Sequence, residues 1–110
     1  MSIVVHLYYT GAEGRARQFA AEMEESGTAQ RIRHEAGNEG YAYFFPIDDP
    51  ETVLLIDKWR DQEALDAHHI SPMMETIAQL REKYDLHMRV ERYRTDEDES
   101  PLIDQVFIRQ

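Results

Sequence analysis

The chain contains no cysteine. Disulfides, thiolate metal sites, iron–sulfur clusters and cysteine nucleophiles are excluded together, while the redox compartment stays open. Positive charge is also scarce: 12 lysines and arginines stand against 22 aspartates and glutamates in 110 residues, a formal net charge of -10. Charge of that sign repels phosphate backbones and anionic headgroups, so neither nucleic acid nor a membrane is an expected partner. Long apolar runs are missing too. The opening MSIVVHLYYTGAEGR has an apolar stretch broken by His6 with no basic segment before it, unlike a signal peptide or a spanning helix. These features predict a soluble, cytoplasmic protein with a single small core.

Familiar chemical motifs are absent as well. There is no GxSxG nucleophile context, and TGAEG lacks the lysine and spacing of a phosphate loop. His68 and His69 have no third ligand at workable spacing, so no metal site is expected. No internal repeat or low-complexity tract interrupts the chain.

What is present is periodicity. Residues Ile3 to Tyr9 are β-branched and aromatic and run into Thr10-Gly11, a strand and its turn. Ala16, Phe19, Ala20 and Met23 form the stripe of an amphipathic helix that Gly27 ends. A short second helix around Ile32 precedes a strand in YAYFFP, a turn in DDPE and a strand in TVLLIDKW. Asp61 is placed to cap a helix carrying Leu65, His68 and His69 on one side. Ser71 and Pro72 restart it, Met73, Ile77, Leu80 and Tyr84 continue the stripe, and LHMRVERY alternates as a last strand.

The order β-α-β-β-α-β predicts an α+β fold: a ferredoxin-like split βαβ arrangement, with helices on one face of a four-stranded antiparallel sheet. Strand one offers Ile3, Val5, Leu7 and Tyr9 on one side and Val4, His6 and Tyr8 on the other. Apolar groups on both faces of so small a sheet predict a second copy packed against it, a homodimer. Residues 1–95 form the domain. Residues 96–110 are an acidic tether and a C-terminal segment, PLIDQVFIRQ, expected as a short strand docking at the dimer interface.

Two residues stand out chemically. Asp57 and Trp59 share one face of strand three, and His68 follows about one strand-to-helix turn later. A carboxylate in apolar surroundings and an imidazole are the groups most readily tuned to exchange protons near neutral pH. The same residues also read as an edge carboxylate, a core tryptophan and a helix histidine bonded to a carbonyl. His6, Tyr8, Phe44 and Trp59 belong to an aromatic set that suits either a flat organic ligand or an ordinary core.

The run from NEGYAYFF through DDPETVLLIDKWRDQEALDAHHISPMM resembles the antibiotic biosynthesis monooxygenase family, which includes quinol monooxygenases. Gly40, Phe44, Asp49, Pro50, Asp57, Trp59, Asp61, Ala64, Leu65, His68, Ser71 and Pro72 carry the resemblance, in the family's order. It implies a dimeric α+β barrel, a pocket in each protomer between sheet and helices, and oxygenation of a phenol or quinol by dioxygen without metal, haem or flavin. On this reading His68 is the acid/base, Asp57 its orienting or pairing carboxylate, and His6, Tyr8, Phe44 and Trp59 the substrate-binding walls. Asp57 stands where the family more often has glutamate, and Met73 where many members carry a second histidine. The stretch METIAQL has no haem-ligating histidine. Relatives that are isomerases of small carbonyl compounds, and a non-catalytic ligand-binding barrel, are the alternatives on the same scaffold.

Overall fold

The computed structural model describes residues 1–109. The strands are β1 (Ile3–Thr10), β2 (Asn38–Phe44), β3 (Thr52–Trp59) and β4 (His87–Arg94). The helices are α1 (Arg15–Glu25), α2 (Thr28–Arg33), α3 (Gln62–His69), α4 (Met73–Lys83) and α5 (Leu102–Gln105). The sheet is antiparallel throughout in the order β2-β3-β1-β4, the ferredoxin-like arrangement.

Alternation in the strands decides what each face does. On the side covered by helices, Ile3 and Tyr9 of β1 and Leu55 and Trp59 of β3 pack with Phe19 and Met23 of α1, Ile32 of α2 and Ile77 of α4. The outer face carries the other parity. There Val4, His6 and Tyr8 of β1 pair with Lys58, Ile56 and Leu54 of β3, and Phe44 of β2 continues the last row. Helices α3 and α4 leave β4 uncovered, so Met88 and Val90 remain 40% and 49% exposed although they face the helix side.

Local chemistry explains the breaks. Asp61 caps α3 by accepting from the Ala64 amide at 2.8 Å, as its position suggests. Pro72 rather than Ser71 occupies the cap of α4, and the Ser71 hydroxyl turns to Glu35 instead. Just after β4, the Thr95 amide donates to the Ser2 carbonyl at 3.0 Å.

The C-terminal segment differs from the expected strand. It forms the short helix α5, because Leu102, Ile103, Val106 and Phe107 recur at helical spacing behind Pro101, and among the described residues no strand edge pairs with it. Leu102, Ile103, Val106 and Phe107 are at least 71% exposed, and Gln110 lies outside the described residues. Among the described residues no helix is long and apolar enough to cross a membrane.

Candidate active site

Between the helix-side face of the sheet and helices α3 and α4 lies a cavity of about 260 Å³. Its walls are mainly apolar: Val5 and Leu7 of β1, Leu55 of β3, Leu65 of α3, and Met74 and Ile77 of α4. Asp57 and His68 reach it from β3 and α3. The strand-to-helix connection therefore brings both sequence-predicted catalytic candidates to one space.

Asp57 is 5% exposed, and burial pushes its carboxyl up to about 6. The Trp59 indole N–H and the backbone amide of Asp57 work the other way, favouring the charge. Part of the carboxylate is still unsatisfied, because Oδ1 of Asp57 and Nε1 of Trp59 are both buried with no hydrogen-bond partner among the described residues. A buried, unpartnered carboxylate oxygen beside an apolar cavity is costly to keep and available to a ligand.

His68 is 4% exposed and stacks on Trp59, with ring centroids 4.7 Å apart at 25°. Its Nδ1 lies 3.1 and 3.2 Å from the two carboxylate oxygens of Glu35. A carboxylate accepts only, so Nδ1 carries the proton and Nε2 keeps its lone pair when the ring is neutral. Burial holds the imidazole below its usual pKa, against the opposing pull of Glu35. The carboxylate that pairs with His68 is thus Glu35 and not Asp57.

Glu35 has no signal in the sequence near the other site residues, since 33 positions separate it from His68. It is brought there by the turn between α2 and β2. Gly37 in that turn has φ +81, and a Cβ on it would collide with the Cβ of Ala64 in α3. The Gly37 carbonyl accepts from the Arg60 amide at 2.8 Å, which ties the turn to the start of α3. Ser71 donates to the same Glu35 carboxylate at 3.4 Å.

The expected walls are distributed differently. His6 and Tyr8 lie on the outer face, because Val5, Leu7 and Tyr9 take the cavity side of β1. His6 stacks edge-on with Tyr93, and the Arg89 guanidinium sits 4.0 Å over the Tyr8 ring. Phe44, paired with Leu54, is on that outer face too and is 49% exposed. Trp59 is completely buried and backs His68 rather than lining the cavity. The aromatic walls are instead Tyr9 and Tyr41. Burial drives the Tyr9 hydroxyl up to about 12, against the pull of Arg81 and with the Asp57 charge adding to the rise. Tyr41, higher still for the same reason, pairs hydroxyl to hydroxyl with Tyr43 at 3.0 Å. Both residues were legible as the opposite parity of their strands.

A four-stranded ferredoxin-like sheet with a carboxylate and an imidazole–carboxylate pair buried beside a mainly apolar cavity makes a candidate small-molecule site on an α+β scaffold. The family model described as antibiotic biosynthesis monooxygenase matches residues 2–80, and the chain belongs to that family. Solved structures share the fold at low identity. A candidate antibiotic biosynthesis monooxygenase from Deinococcus radiodurans superposes with TM-score 0.77 at 16% identity, covering 91% of this chain and 98% of that one. Rv0793 from Mycobacterium tuberculosis gives 0.74 at 20% identity, with 91% and 100% covered. SnoaB, a cofactor-independent oxygenase from Streptomyces nogalater, gives 0.73 at 12% identity, with 88% and 95% covered. No curated protein matches the sequence.

Proposed function

We propose that this protein is a cytoplasmic, cofactor-independent monooxygenase that oxidises a small aromatic phenol or quinol with dioxygen. The observation that carries the reading is a buried base, His68 held by Glu35, opening on a cavity with mainly apolar walls beside Asp57, whose Oδ1 has no hydrogen-bond partner. Membership of a family that includes cofactor-independent oxygenases supports it.

In this mechanism Nε2 of His68 takes the phenolic proton, and Glu35 stabilises the imidazolium that forms. The electron-rich phenolate then reduces dioxygen and combines with it at a ring carbon. His68 returns its proton to the distal oxygen, giving a hydroperoxide. Asp57 takes the hydrogen of that carbon as a proton while the O–O bond breaks. The C–H becomes C=O, and the departing hydroxide recovers the proton from Asp57 as water. Phenol and dioxygen thus give quinone and water, all four electrons come from the substrate, and both residues end as they began. The apolar walls exclude water that would compete for the phenolate.

His68→Ala should lower turnover by about 10²- to 10⁴-fold, the usual worth of a general acid–base group. Oxygen uptake with a panel of naphthols and hydroquinones under air measures it. Equal rates for the two proteins remove His68 from the mechanism. Inactivity of the wild type across the panel favours an isomerase of a small anionic carbonyl compound, for which Arg81 and Arg92 beside the cavity would be the binding groups.

The proposal includes the quaternary arrangement. A second copy covers the outer face around His6, Tyr8 and Ile56, and α5 docks at that interface.

A further inference from the structure

The cavity has a charged side that the mechanism does not use. Arg81 of α4 and Arg92 of β4 both line it. In a chain with an excess of acidic groups, two arginines on one cavity would ordinarily find carboxylates. Among the described residues neither forms an ion pair. Their guanidinium groups meet neutral acceptors only: Arg81 Nη1 lies 3.0 Å from the Met88 sulfur, and Arg92 Nη2 lies 2.6 Å from Oε1 of Gln62. Among the described residues neither guanidinium is neutralised by a carboxylate, and both remain open to solvent, Arg92 exposed and Arg81 half-buried.

Strand register fixes the separation of the two ends. Arg92 pairs with Val5, and Val5 pairs with Asp57, so all three lie in one row across β4, β1 and β3. Two interstrand spacings put the Arg92 and Asp57 backbones about 9–10 Å apart. The row between them is apolar, with Val5 at its centre and Leu7 beside it. Size sets a second limit, because an apolar cavity of about 150 Å³ holds a benzene. The observed cavity of about 260 Å³ suits one ring or two fused rings.

We propose that the substrate carries a carboxylate at the end remote from its reacting hydroxyl, paired with Arg92, with Arg81 adding positive charge farther along the cavity wall: the site takes a one- or two-ring hydroxyaryl carboxylate. Arg92 holds the anion in the field of both arginines, the apolar row seats the ring, and the hydroxyl end reaches Asp57 and His68. The ring's fate rests on the oxygenase reading, whereas anion recognition is a matter of binding alone.

Binding is therefore measured first under nitrogen, where no oxygenation occurs. Calorimetric titration compares 6-hydroxy-2-naphthoate, with hydroxyl and carboxylate at opposite ends of two fused rings, against 2-naphthol. The carboxylate should bind at least about tenfold more tightly, an advantage that falls with added salt. The double variant Arg81→Gln/Arg92→Gln should lose the advantage, and Arg81→Lys/Arg92→Lys should retain part of it. The affinity of each variant for 2-naphthol, which has nothing to offer the arginines, checks that the cavity is intact. Equal affinities in the wild type, a preference that survives loss of both arginines, or no binding of the naphthoate would each overturn the proposal. Oxygen uptake in air then separates the two readings. Selective binding without uptake defeats the oxygenase and leaves the anion site standing. Uptake indifferent to carboxylate and arginines does the reverse.

Discussion

In the folded protein the Asp57 carboxyl titrates at about 6, against 3.8 for the ordinary group. Between these values this group binds more proton in the native state than in the unfolded chain, so the Asp57 contribution to stability is most favourable below pH 4 and declines as pH rises to 6. Above that window the ionised group costs on the order of 3 kcal/mol. Asp57→Asn should therefore raise the melting temperature near pH 7.5, leave it nearly unchanged below pH 4, and abolish most turnover. Thermal melts at the two pH values and an oxygen-uptake assay check it, and no gain at the higher pH would show that the carboxylate is better solvated than its burial implies. Asp57 and His68 were legible because a short strand-to-helix connection keeps them close in sequence and the family motif marks both. Glu35 was not, since its pairing is made by a tertiary contact. His6 and Tyr8 were misplaced where aromatic character outweighed strand parity, which assigns Tyr9 to the cavity.

Among the elements, the turn joining α2 to β2 does the most positioning. Its Gly37 combines a left-handed backbone with close packing against Ala64, whereas Gly14, also left-handed at φ +80, has open space where a Cβ would go. Backbone strain alone costs a substituted residue about 1–2 kcal/mol. Gly37→Ala should lose more stability than Gly14→Ala in urea unfolding, and it alone should reduce turnover, because displacing the turn moves Glu35 away from His68. Equal losses in the two variants would mean that α3 yields to the added methyl. The strands and four helices of the domain could be read from hydrophobic periodicity and from caps such as Asp61. The C-terminal segment could not, because a short apolar run is compatible with strand or helix until edge pairing decides. Ser71 looked like a cap for α4 but supports Glu35, since Pro72 already supplies the helical backbone there.

For the whole molecule, the sheet has one face spent on core and cavity and the other without a helix over it, its β1 and β3 side chains half-buried against one another. A homodimer through the outer face should bury more than about 1,000 Å². Sedimentation velocity should find a dimer at micromolar concentration, and truncation after Thr95 should weaken it, because Leu102, Ile103, Val106 and Phe107 are otherwise left in water. A stable monomer would leave the outer face without its cover, and a truncated chain that dimerises as well as the full one would make α5 a passenger. Two-sided strands are what make a partner expected from the sequence, while its geometry depends on surfaces that one chain does not define. Trp59 is the chain's sole tryptophan, and it lies fully buried against His68. Indole fluorescence excited selectively in this protein therefore comes from one place, directly behind the imidazole, and needs no label to be assigned. Protonation of His68, a ligand pressed against it, or loss of the stack on unfolding all act on that single emitter, so the intrinsic emission of the entire molecule is a spectrum of its candidate active site.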